Sequence, residues 1–87
     1  MAKKIESLRK KIDSLDSQII IILSKRAKLT DQIMRHKARI KIQKKDTCRE
    51  RYIISKLSEN GKKLGLSKKY IKSIYSTIFK ESIRRSR

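Results

Sequence analysis

The sequence predicts an all-α fold: three helices, one long, one short and one medium, in an intertwined homodimeric helical bundle. Two observations predict the helices. Chain breakers are scarce, with Gly only at positions 61 and 65 and no Pro in 87 residues, so helices run long. Apolar residues recur at steps of three and four, the period of one helical face. A third observation, the length of the first helix, predicts the second copy.

Helix 1 is expected over about residues 3–40, carrying Ile5, Leu8, Ile12, Leu15, Ile19, Ile22, Leu29, Ile33 and Ile40 on one stripe. At roughly 1.5 Å per residue it exceeds about 50 Å. A compact monomer of this size has a radius of gyration near 12 Å. The rest of the chain is too short to cover the stripe, so a second copy with the long helices packed together is its simplest cover. Lys41-Ile42-Gln43-Lys44-Lys45 loses the helical period and reads as a loop over about 41–45. Asp46 or Thr47 then caps helix 2, and Thr47-Cys48-Arg49-Glu50 also fits a capping box. Helix 2, about 47–64, turns Ile53, Ile54, Leu57, Gly61 and Leu64 to one face, with Gly65 placed to end it. Ser67 caps helix 3, about 68–85, which carries Tyr70, Ile71, Ile74, Tyr75, Ile78, Phe79 and Ile83. All 87 residues are expected to form a single domain.

Composition narrows the remaining classes. So small a chain buries a modest core and needs help from a metal, disulfides or another chain. Cys48 is the lone cysteine and His36 the lone histidine, which excludes an internal disulfide and a four-ligand zinc site built from Cys and His. The longest apolar run, Ile19 to Leu23, is far short of the ~20 residues that span a membrane. The N-terminal Met-Ala-Lys-Lys-Ile-Glu lacks the apolar core of a signal peptide, so the cytoplasm is the expected compartment. The net charge of +18 fits a polyanion partner. It equally fits A/T-rich coding, since the cations are mostly Lys, the aliphatics mostly Ile, and Val is absent.

The informative positions are the polar breaks in the stripes. After Ile22 the next inward site is Arg26, and after Ile33 it is His36 or Lys37. Arg26 and Lys37 lie close to three full turns apart, within about 20° of each other round the helix. One inward cation is readily explained by snorkelling to water; two in register call for an anion. Glu50 sits at the inward edge of helix 2 and Ser82 inside the stripe of helix 3. Alone, Glu50 is explained by the capping box and Ser82 by a bond to its own helix. Together the four outline a pocket between helices for a small anion with carboxylates and a hydroxyl. Arg9 lies roughly 25 Å from Arg26 along the same helix, too far for one small metabolite, so it would serve the site of a partner copy. His36 reads as a surface residue beside the site, Cys48 as structural, and Tyr70 and Tyr75 as closing the core. No phosphate loop, metal cluster or Ser-His-Asp set is present, so no metal or cofactor is expected.

These residues carry a resemblance to the all-α chorismate mutases. It runs through Leu8-Arg9-Lys10-Lys11-Ile12-Asp13-Ser14-Leu15-Asp16, Leu23-Ser24-Lys25-Arg26, Ile33 to Lys37, Asp46-Thr47-Cys48-Arg49-Glu50-Arg51, Tyr70-Ile71 and Ile78-Phe79-Lys80-Glu81-Ser82-Ile83. The resemblance implies an intertwined homodimer that rearranges chorismate to prephenate without a cofactor. It implies that Arg26, and Arg9 from across the interface, bind the two carboxylates. It implies that Lys37 meets the ether oxygen and a carboxylate, that Glu50 accepts from the ring hydroxyl with the Asp46 backbone assisting, and that Ser82 supports a carboxylate. Arg49 would be a neighbouring charge. Where the family has a Gln or Glu reaching the ether oxygen, this chain has the shorter Ser86; water, Arg84 or Arg85 would have to stand in. An isochorismate pyruvate lyase uses a similar pocket. A basic helical nucleic-acid binder accounts for the charge but leaves Arg26, Lys37, Glu50 and Ser82 unexplained. A purely structural coiled coil fits neither the two shorter helices nor the charged seam.

Overall fold

The computed structural model describes residues 2–87. It consists of α1 (Ala2–Arg39), α2 (Thr47–Lys63) and α3 (Lys68–Arg85); among the described residues there is no strand. No described helix is long and apolar enough to cross a membrane. The chain divides after Thr30 into two units.

The first unit is the N-terminal part of α1 alone. Ile5, Leu8, Ile12, Leu15, Ile19 and Ile22 share one face of it and remain between 49% and 63% exposed. Ile20 and Ile21, off that stripe, are exposed as well. The helical period is therefore present without a covering layer. Near the end of the unit Arg26, Ala27 and Thr30 are half-buried, and the Thr30 hydroxyl donates to the Arg26 carbonyl at 3.0 Å.

The second unit, Asp31–Arg87, holds the last turns of α1, the loop, α2 and α3. α1 stops in a reciprocal pair of backbone bonds: Ile42 N–H donates to the Lys37 carbonyl (3.0 Å) and Lys41 N–H to the Ala38 carbonyl (3.3 Å). This is a Schellman motif, and Lys41 takes its left-handed position at φ 58°. α2 ends in the same motif, with Leu66 N–H on Gly61 (2.8 Å) and Gly65 N–H on Lys62 (3.2 Å). Gly65 supplies the positive φ there, 84°, and Leu64 is the residue at the cap.

α2 begins at Asp46, whose carboxylate accepts from Arg49 N–H at 2.9 Å. The capping box with Thr47 at its head does not form. Asp46 already satisfies the N–H three residues on, and Glu50 is engaged by Lys45 instead. Ser67 caps α3 by accepting from Tyr70 N–H at 3.1 Å.

α2 and α3 pack on each other where Gly61 faces Ile71. A methyl group at 61 would run into the Cδ1 tip of the Ile71 side chain, which would have to turn aside. Ile71 is 6% exposed, and among the described residues Met34, Ser58 and Gly61 are the other buried ones. Within the single chain, three residues differ from the expected inner faces. Leu64, assigned to the inner face, is 79% exposed because it lies in the turn beyond the last helical residue. Tyr70 is exposed in the first turn of α3, away from the ring pair formed by Tyr75 and Phe79. On α1 it is Met34, one residue round from the stripe position Ile33, that is buried.

Candidate active site

Lys37 lies in the last turn of α1 and is half-buried. Its ammonium donates to the Lys44 carbonyl at 3.0 Å. The helix that carries it is closed through its own carbonyl, so both ends of the residue are tied to the α1–α2 loop. A cation in the last turn also suits the negative end of the helix dipole.

Glu50, in the first turn of α2, is half-buried and offers both carboxylate oxygens to Lys45 Nζ at 3.1 and 3.2 Å. Asp46, just before it, has its side chain spent on the cap, and its carbonyl accepts from Glu50 N–H at 3.0 Å. Arg49 leans over the Tyr52 ring, 5.3 Å from the centroid. Glu50 faces a cavity of about 410 Å³ lined also by Lys45, Ile54, Ser76, Phe79, Lys80, Ile83 and Arg87. Three apolar side chains form one part of this wall; three cations, the carboxylate and Ser76 form the rest. Such a lining can receive a small anion that carries a hydroxyl.

Ser82 is half-buried on α3 and donates to the Ile78 carbonyl at 3.1 Å. The hydroxyl keeps its two lone pairs for an incoming donor. Ser86 caps the helix and donates back to the Ile83 carbonyl at 2.7 Å. A second cavity, about 240 Å³, is lined by Asp31, Met34, Arg35, Ala38, Lys44, Arg85 and Ser86. Lys37, Asp46 and Ser82 line neither cavity. Thus Lys37 and Ser86 are linked through Lys44, and Glu50 lies with Phe79 and Ile83. Arg9 is exposed in the first unit and Arg26 half-buried at its end.

The two arginines offered as stand-ins at position 86 are engaged elsewhere. Arg84 donates two parallel hydrogen bonds to the Glu81 carboxylate, 2.7 Å on each arm. Arg85 does the same with Asp31, at 3.1 and 2.6 Å. These hydrogen bonds hold the Asp31 and Glu81 carboxyls below their ordinary range and raise both arginines. His36 and Cys48 are exposed, and Cys48 is a free thiol.

Sequence reasoning missed Lys44 and Lys45. Both sit in the loop, where helical periodicity gives no direction to a side chain. The available signal was local: Lys45 directly precedes the helix cap and has a carboxylate in the first turn ahead of it.

A bifunctional chorismate mutase/prephenate dehydratase of Buchnera aphidicola subsp. Schizaphis graminum (strain Sg) is 34% identical over 77 residues, covering 88% of this chain and 20% of that protein. Its counterpart in Buchnera aphidicola subsp. Baizongia pistaciae (strain Bp) is 34% identical over 77 residues, covering 88% of the chain and 21% of the relative. The chain therefore spans about a fifth of the length of these curated relatives. No solved structure matches it. The family model for chorismate mutase type II matches residues 8–87, from the N-terminal stripe through Lys37 and Glu50 to Ser86, and the chain belongs to that family.

Proposed function

We propose that this chain rearranges chorismate to prephenate, as a cytoplasmic homodimer and without a cofactor. The match to the family over residues 8–87 carries this reading. The reaction is a [3,3] shift: one C–O bond breaks, one C–C bond forms, and no atom is gained or lost. It needs neither nucleophile nor acid–base pair. It needs a flexible dianion held in its folded, reactive shape and a donor for the negative charge that grows on the ether oxygen.

In this proposal Arg26 and the partner subunit's Arg9 bind the two carboxylates. Lys37 points to the ether oxygen. With one N–H given to the Lys44 carbonyl, its ammonium keeps two donors for the substrate. Glu50 accepts from the ring hydroxyl, the Asp46 backbone assists, and Ser82 supports a carboxylate. Ser86 is too short to reach as the family's Gln or Glu does. Lys45, bonded to Glu50, holds that carboxylate in place at the start of α2. The exposed apolar face of α1 supports the dimer: each such side chain gains about 1.5–3 kcal/mol on burial, and a second copy presents the matching stripe.

The test is direct. Purified protein is incubated with chorismate and, separately, with isochorismate. Prephenate from chorismate is the expected product. Salicylate plus pyruvate from isochorismate alone would reassign the pocket to a lyase, and no turnover of either would remove the catalytic reading. Sedimentation of the same sample should give twice the chain mass.

A further inference from the structure

The chain departs from its family's pattern at position 86, and the structure brings to that position a side chain with no assigned role. Ser86 turns its hydroxyl back to Ile83, and Arg84 and Arg85 are held by Glu81 and Asp31. The Lys44 ammonium, from the α1–α2 loop, donates to the Ser86 carbonyl. The Lys44 carbonyl accepts from Lys37 Nζ at 3.0 Å. One residue thus touches, by its two ends, the last turn of α3 and the ammonium assigned to the ether oxygen.

We propose that Lys44 is a positioning residue: its ammonium fastens the end of α3 to the loop, and the fastened loop presents the carbonyl that aims Lys37. The inference rests on the functional reading above for its kinetic consequence, not for the contact itself. The physical grounds are three. The last carbonyls of a helix lack partners within the helix and carry the negative end of its dipole, so a cation there makes a charge-assisted bond. Lys44 is half-buried, which limits the water competing for that bond. Residues 42–46 have no regular structure of their own; the Lys44 ammonium is what ties the segment to α3, its other ties running back to α1 through Lys37 and the Schellman turn and forward to α2 through the Asp46 cap and the Lys45–Glu50 pair. A carbonyl that swings with a loose loop cannot fix the direction of an ammonium that has three equivalent donors.

The experiment uses the whole chain with Lys44→Met, which keeps the stem and removes the donor, and Lys44→Arg, which restores one. Amide hydrogen exchange is followed at residues 84–87, and kcat and KM for chorismate are measured on the same samples. In Lys44→Met, exchange in the last turn of α3 should rise about tenfold and kcat fall about tenfold, with KM within about twofold. Lys44→Arg should recover most of both. Unchanged exchange in Lys44→Met overturns the fastening. Faster exchange with unchanged kcat overturns the link to Lys37. A rise in KM that matches the whole loss would make Lys44 a substrate-binding group and overturn the positioning role. If the wild-type chain turns over no chorismate, the functional reading fails, while the exchange comparison still decides the fastening.

Discussion

The two Schellman motifs allow one energetic term to be measured twice in the same molecule. Gly65 and Lys41 occupy the same left-handed position, at φ 84° and 58°. A side chain at this φ costs about 1–2 kcal/mol. Glycine returns part of that, about 0.5–1 kcal/mol, as extra freedom in the unfolded chain. The net preference for Gly over Ala should therefore be near 1 kcal/mol at both sites. Nothing lies within 4 Å of a Cβ built on Gly65, so the effect there is purely backbone. At 41 the substitution also deletes a charge from a chain of net charge +18, so Lys41→Gly is compared with Lys41→Ala, which deletes the same charge. Urea unfolding followed by far-UV circular dichroism, at fixed protein concentration, provides the assay. With a slope of about 1–2 kcal/mol/M, the Gly form should lie about 0.5–1 M above the Ala form at each site. A Lys41→Gly midpoint at or below that of Lys41→Ala, or a Gly65→Ala midpoint equal to wild type, would refute the reasoning.

Three further outcomes are expected. Lys37→Ala and Arg26→Ala should each lower kcat/KM for chorismate by at least about 10²-fold while leaving helicity and sedimentation unchanged; near-normal turnover in either would show the site assignment to be wrong. Ser58 Oγ is buried without a partner, so Ser58→Ala should raise stability by about 1 kcal/mol, read as a higher urea midpoint. Arg85 lowers the Asp31 carboxyl below its ordinary value. A depressed carboxyl contributes stability that is fully present above its unfolded value of 3.8 and is lost as pH falls through the lower folded value. Stability plotted against pH should fall through that acid window, and Asp31→Asn should flatten the fall; an identical acid limb in both proteins would mean the pair contributes nothing.

Helices were legible because their signal is repeated many times along the chain, whereas caps and loops depend on a single side chain. Periodicity places Ile71 on the inner face of α3. It cannot choose between Asp46 and Thr47 as the start of α2, since either can bond the next turn; Asp46 takes the position with a 2.9 Å contact. It assigns Ile33 rather than Met34 to the packed face of α1, because both are apolar and lie only 100° apart, and only a packed partner distinguishes them. Ser58 gives no signal at all: a small polar residue looks like a solvent position in the sequence, yet it is buried. For the candidate site, a broken stripe singles out Arg26 and Lys37 because a cation on an apolar face is costly. The Asp46 backbone and the shortened reach at Ser86 came only from the family pattern. Lys44 and Lys45 came only from the structure, since a loop has no period by which to aim a side chain.

The charge itself can be tested by asking which electrostatic terms salt removes. Four of the acids in the second unit have specific tasks: Asp46 starts α2, Glu50 holds Lys45, Glu81 holds Arg84 and Asp31 holds Arg85. The remaining cations far outnumber the acids left to meet them. Repulsion among them acts over distances comparable to the Debye length, about 10 Å at 0.1 M and 3 Å at 1 M salt. The ion pairs act at 2.6–3.1 Å, where screening is weaker, and exposed pairs contribute little in any case. Sodium chloride should therefore raise the thermal midpoint between low and high salt, because it removes more repulsion than attraction. The same salt should raise KM for a dianionic substrate, since steering and binding by cations are screened. A midpoint that falls with salt would mean that the short pairs outweigh the long-range repulsion and that the cations are arranged for stability rather than merely tolerated by the fold.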